Sequence, residues 1–95
     1  MHVEVARSGG LVGLTVRGTF DTTELPEHVA GLVEDALDRL PFGRPPAAPQ
    51  HPDSFHYEIT VTDGRRRRSA RLDEAQLPEA LRDIVDTALA RGELD

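Results

Sequence analysis

The chain contains no cysteine, which removes both a disulfide framework and a thiolate metal site and is compatible with a reducing compartment. It contains no lysine and no asparagine, so all 11 basic residues are arginine. That bias is what a GC-rich genome produces, and it lowers the weight of any single arginine as a functional signal. No apolar run approaches the ~20 residues that cross a bilayer, so no membrane association is expected. The start, Met1-His2-Val3-Glu4-Val5-Ala6-Arg7, alternates apolar and polar residues and lacks the basic segment and apolar block of an export signal, which makes the cytoplasm the expected location. Positive charge is also in deficit. A net charge of −6 opposes binding driven by phosphate neutralisation and argues against nucleic acid as a partner.

Ninety-five residues make one domain, spanning 1–95, that buries somewhat over ~60% of its unfolded surface. The hydrophobic fraction is only 38%, but its patterning is clear. His2 to Arg7 reads as a strand with Val3 and Val5 on one face. Ser8-Gly9-Gly10-Leu11-Val12-Gly13 is a tight reversal, and Leu14 to Phe20 alternates again, with Leu14, Val16 and Phe20 on one side, completing a hairpin. Asp21-Thr22-Thr23-Glu24-Leu25-Pro26 suits a helix start, and Val29, Leu32, Val33, Ala36, Leu37 and Leu40 form an apolar stripe, which predicts a helix over 26–40. Five prolines between Pro41 and Ser54 require an irregular loop.

Phe55 to Thr62 is the clearest strand, and Asp63-Gly64 supplies a two-residue turn. Counting back from that turn pairs Thr62 with Arg65, Tyr57 with Ala70 and Phe55 with Leu72. Pro78 opens a second helix over 78–91 with Leu81, Ile84, Val85, Ala88 and Leu89 on its buried stripe, and Gly92 ends it. The expected fold is α+β, order ββαββα: a four-stranded antiparallel sheet with two helices on one face. Val3, Val5, Val16, Leu32, Leu37, Tyr57, Ile59, Leu81 and Val85 are the expected core. The two halves share an outline but no residue-level repeat is read from them.

No catalytic constellation stands out. The serines are Ser8, Ser54 and Ser69, none in a strand-to-helix nucleophile turn. Of the four histidines, only His51 and His56, with Asp53, have metal-like spacing, and a proline-rich loop that fixes geometry poorly, with a solvated strand histidine, does not make a metal site. No metal or other cofactor is expected. The glycine-rich turn joins two strands and lacks the helix and lysine of a phosphate loop. Arg65-Arg66-Arg67-Arg68 with Arg71 lacks the aromatic partners of a nucleic-acid surface and suits an edge strand guarded by charge, with contact to an acidic protein surface as the alternative. What stands apart is Leu11 and Val12 at the tip of a glycine-rich turn, since apolar residues at an exposed tip are inexpensive only when covered.

Taken in order, the glycine turn Ser8 to Gly13, the Asp21 to Pro26 helix start, Phe55-His56-Tyr57-Glu58-Ile59-Thr60-Val61 with Asp63-Gly64, and Leu77-Pro78-Glu79-Ala80-Leu81 resemble the emfourin family, protein inhibitors of thermolysin-like zinc metalloproteases. The resemblance implies a non-enzymatic protein that blocks the active-site cleft of such a protease by reversible tight binding; a monomer is expected. It departs from the family at Leu11 and Val12, where an aromatic and a small residue are usual, and at His51-Pro52-Asp53-Ser54. The residues expected to meet the protease are Ser8, Gly9, Gly10, Leu11, Val12, Gly13 and the carboxylate of Glu24, should the sheet bring it alongside the turn. The alternative is a small cytoplasmic interaction module of another partner that shares only the fold.

Overall fold

The computed structural model describes residues 1–9, 13–45 and 54–94. The strand-forming run at the start becomes β1 (His2–Gly9), followed by β2 (Val16–Asp21), α1 (Glu27–Asp38), β3 (Phe55–Asp63), β4 (Arg66–Asp73), α2 (Glu79–Ala90) and the short β5 (Glu93–Leu94). All neighbouring strands run antiparallel in one sheet, ordered β4-β3-β1-β2-β5, so the N-terminal strand lies at its centre.

Alternation then decides everything about the two faces. Val3 and Val5 of β1, Tyr57, Ile59 and Val61 of β3, and Ala70 and Leu72 of β4 share one core with Val33 and Leu37 of α1 and Leu81, Val85 and Leu89 of α2. Both helices therefore cover the same side. Fully burying side chains such as Leu37, Ile59, Leu72 and Leu81 stabilises the fold by about 1.5–3 kcal/mol each. The other side, bearing Glu4, Ala6, Arg17, Glu58 and Arg71, carries no helix.

The described residues differ from the sequence reading in several places. The sheet has five strands rather than four, because the two residues after Gly92 pair Val16 with Leu94 and Arg17 with Glu93. The β3–β4 register is shifted by two, Asp63 pairing with Arg66 and Tyr57 with Leu72. Gly64, at φ 60°, leads the turn rather than ending it, and a slip of two preserves which side chains face the core. Leu32 is 65% exposed, Val16 only partly buried, and Leu14 precedes β2 and is 48% exposed. The helices begin one residue later than expected, each with a proline as its N-cap.

A repeat does exist, and it is local. Asp21-Thr22-Thr23-Glu24-Leu25-Pro26-Glu27 and Asp73-Glu74-Ala75-Gln76-Leu77-Pro78-Glu79 fold alike. In each, an aspartate carboxylate accepts a backbone N–H two residues on, from Thr23 or Ala75, and caps one turn of 3-10 helix before Leu-Pro starts a twelve-residue helix. With β1 and β3 antiparallel at the centre, the two hairpin–helix halves are related by an approximate twofold normal to the sheet.

Candidate functional site

β1 ends in a glycine that has no alternative. Gly9 has φ 94°, where a side chain is strained, and a Cβ there would sit 2.7 Å from the carbonyl oxygen of Ser54. The chain returns toward β2 through Gly13, also left-handed at φ 70°. Two left-handed glycines thus bracket the turn, and its first strand is held on both sides, by β2 and by β3 through the pairs Ser8–His56 and Gly9–Phe55. Gly10, Leu11 and Val12, on which the apolar-tip reading falls, lie outside the described residues, as do His51 and Asp53.

The ground beneath the turn is firm. The backbone N–H of Phe55 donates to the Glu74 carboxylate at 3.2 Å, and the buried Asp73 accepts from Ala75 N–H while Gln76 closes the capping box. Arg7 stacks over the Phe55 ring, 4.6 Å from its centroid. Burial holds the Tyr57 hydroxyl above the ordinary phenol range, and Arg7 beside it offsets part of that rise.

Glu24 is not brought to this place. It follows β2, next to the His2–Asp21 pair, whereas the glycine turn precedes β2, so the two lie roughly 20 Å apart along the strand. Its neighbourhood serves folding: the buried Thr22 hydroxyl donates to Glu34 at 2.7 Å, and Asp21 accepts from both N–H and hydroxyl of Thr23, at 3.0 and 2.8 Å. Those bonds, the backbone one foremost, hold the Asp21 carboxyl below its usual range.

Two exposed apolar residues flank the turn that sequence reasoning missed. Leu14 was placed in the second strand, on one side with Val16 and Phe20, and Leu94 in no element, yet Leu94 pairs with Val16, two residues beyond Leu14 on the neighbouring strand, and is 64% exposed. A leucine ahead of β2 and another on the two-residue β5 leave no periodic signal to find their exposure by.

The arginine run is divided rather than pooled. Arg68 crosses to the helix side, where it bonds Asp38 at 3.0 Å and lies 4.5 Å from the Phe42 ring centroid. Arg67 approaches Glu4 at 3.8 Å and Arg71 bonds Glu58 at 3.0 Å on the open side. Arg65 and Arg66 stand at the β3–β4 turn, at the opposite end of the sheet from the glycine turn. β4 is an outer edge, and this charge guards it. Ser8, His56 and Asp73 oppose one another across β1, β3 and β4, the residue types of a nucleophilic triad, but among the described residues no hydrogen bond joins them and Asp73 is committed to its cap.

No curated protein and no solved structure shows a significant match. Comparison with protein families matches residues 5–89 to the family described as Emfourin. The match takes in most of β1, all of β2 to β4 and α1, and most of α2, which places the chain in the Emfourin family and implies a non-enzymatic inhibitor of a metalloprotease.

Proposed function

We propose that the protein is a reversible, tight-binding inhibitor of a thermolysin-like zinc metalloprotease, and that the glycine turn between β1 and β2 enters the protease cleft. The observation that carries this reading is the anchoring of that turn: left-handed glycines at both ends, one pressed against the Ser54 carbonyl, on the central strand of the sheet. Fixed ends limit the entropy that the segment between them can lose on binding, which is what a plug for a substrate cleft requires. Leu11 and Val12 supply its apolar tip, and Leu14 and Leu94 extend apolar surface to one side. Ser8 and Gly9 frame its base. Glu24, at the far end of β2, lies outside this contact. The protein acts as a monomer in the cytoplasm and brings no metal or cofactor of its own.

The test is an inhibition constant against one thermolysin-like protease. Leu11→Asp places an unpaired charge in an apolar pocket and weakens inhibition by at least ~2 kcal/mol, with circular dichroism unchanged. Charge reversal at Arg65 and Arg66 alters mainly the association rate. If the folded Leu11→Asp protein inhibits as well as the parent, the turn is not the inhibitory element.

A further inference from the structure

Alternation along β1 leaves a charged residue where an apolar one is due. Val3 and Val5 face the helices and are buried, so the same period turns Arg7 to that side as well. A guanidinium facing inward gives up hydration that an apolar side chain never had, and it is tolerated there only with compensating partners. Those partners lie at the base of the glycine turn.

The cause is the forced glycine two residues on. Gly9 pairs with Phe55, and because a Cβ at Gly9 would meet the Ser54 carbonyl oxygen at 2.7 Å, the Phe55 ring has no side chain directly opposite it. Arg7, which pairs with Tyr57, reaches diagonally across that gap and sets its guanidinium 4.6 Å from the Phe55 ring centroid, a separation at which a cation and a ring face attract. It also lies beside the Tyr57 hydroxyl, where its charge opposes the rise that burial imposes. Phe55 is itself pinned through its backbone, whose N–H donates to the Glu74 carboxylate at 3.2 Å. One arginine thus ties the central strand to β3 at the end of the sheet, where glycine contributes no side chain.

We infer that Arg7 is a positioning residue of the inhibitory turn: by clamping β1 onto the Phe55 ring, it fixes the direction in which the chain leaves the sheet at Gly9. The inference rests on the proposed docking of the turn. Arg7 acts through Phe55 rather than by touching the protease, and a turn released from this clamp must lose on binding the freedom that the parent has already given up.

Inhibition constants against one thermolysin-like protease are measured for Arg7→Met, Arg7→Lys, Phe55→Leu and the Arg7→Met/Phe55→Leu double variant, with circular dichroism confirming each fold. Methionine keeps a long apolar stem and removes the charge, so Arg7→Met and Phe55→Leu each raise the constant by about tenfold, and the double variant raises it no further. Arg7→Lys, which keeps a cation over the ring, stays within about threefold of the parent. The order parameter of the Gly9 amide, read from nitrogen relaxation, falls in Arg7→Met from about 0.85 toward about 0.6 and stays in the rigid range in Arg7→Lys. An unchanged constant or an unchanged Gly9 order parameter in Arg7→Met overturns the clamp. So does a lysine variant as weak as the methionine one, or a loss of about a hundredfold in the double variant, since additive losses mean that Arg7 and Phe55 act separately. The comparison of lysine with methionine stands even where Phe55→Leu fails to fold. If the parent inhibits no thermolysin-like protease, the docking reading falls, and Gly9 relaxation alone decides whether Arg7 fixes the turn.

Discussion

Gly18 of β2 and Ala88 of α2 meet backbone to backbone, and a Cβ on Gly18 would fall inside the contact distance of the Ala88 carbonyl oxygen. The glycine lets the last turn of α2 rest directly on the sheet. Gly18→Ala must push the helix away, and the expected cost is about 3 kcal/mol, since neither partner is a side chain that can rotate aside. A shift in the urea unfolding midpoint measures it.

Gly31 is the opposite case. It lies within α1, and a Cβ there meets nothing within 4 Å. Gly31→Ala therefore gains helix propensity without a clash and raises stability by up to ~1 kcal/mol in the same unfolding measurement.

Leu32 and Leu37 separate pattern from placement. Leu37 is fully buried and Leu32 is 65% exposed, so Leu37→Ala is expected to cost about 2–5 kcal/mol and Leu32→Ala under ~0.5 kcal/mol. Thermal unfolding of the two variants decides it, and near-equal losses would place Leu32 in the core.

These leucines also mark how far the sequence could be read. Strict alternation in β1 and β3 disclosed both strands and their buried faces, because a period of two leaves only one side for Val3, Val5, Tyr57 and Ile59. A helical stripe is less exclusive: Leu32 sits about 100° round from the buried Val33 and passes as a member of the stripe until the neighbouring element is known. β5 was illegible because two residues carry no period. The Asp63-Gly64 pair announced a turn but not which residue leads it, hence the register shift by two. Of the candidate site, the glycine turn was legible from composition, whereas the separation of Glu24 from it depends on strand direction.

Tyr57 gives a pH dependence with a definite sign. Its hydroxyl, 7% exposed as a residue, is held above the ordinary value of 10.0 chiefly by burial. A group whose folded-state value is raised contributes stability that is complete below the unfolded value and is lost as pH rises through the folded one. The melting temperature is thus expected to fall above about pH 10, and more steeply than in Tyr57→Phe, which has no proton to lose. Parallel alkaline limbs for the two proteins would remove Tyr57 as the cause.

Arg68 is expected to matter for stability where Arg66 does not. Arg68→Ala removes the Asp38 ion pair and the stacking on Phe42 and costs about 1–2 kcal/mol, whereas Arg66→Ala, exposed beside the turn, stays within ~0.5 kcal/mol. Denaturant midpoints of the two variants compare them directly.

The approximate twofold has a consequence for how the chain is held together. Each half owns a hairpin, an aspartate-capped turn and a helix, and the halves meet along the β1–β3 seam and where α1 packs on α2. Neither half covers its own apolar face, so each is the other's missing wall. A backbone broken between α1 and β3 would leave two fragments that find each other again through that seam, and folding would then become a bimolecular association governed by mass action. The single chain, by tethering the pair, fixes their effective concentration and makes the same assembly independent of dilution.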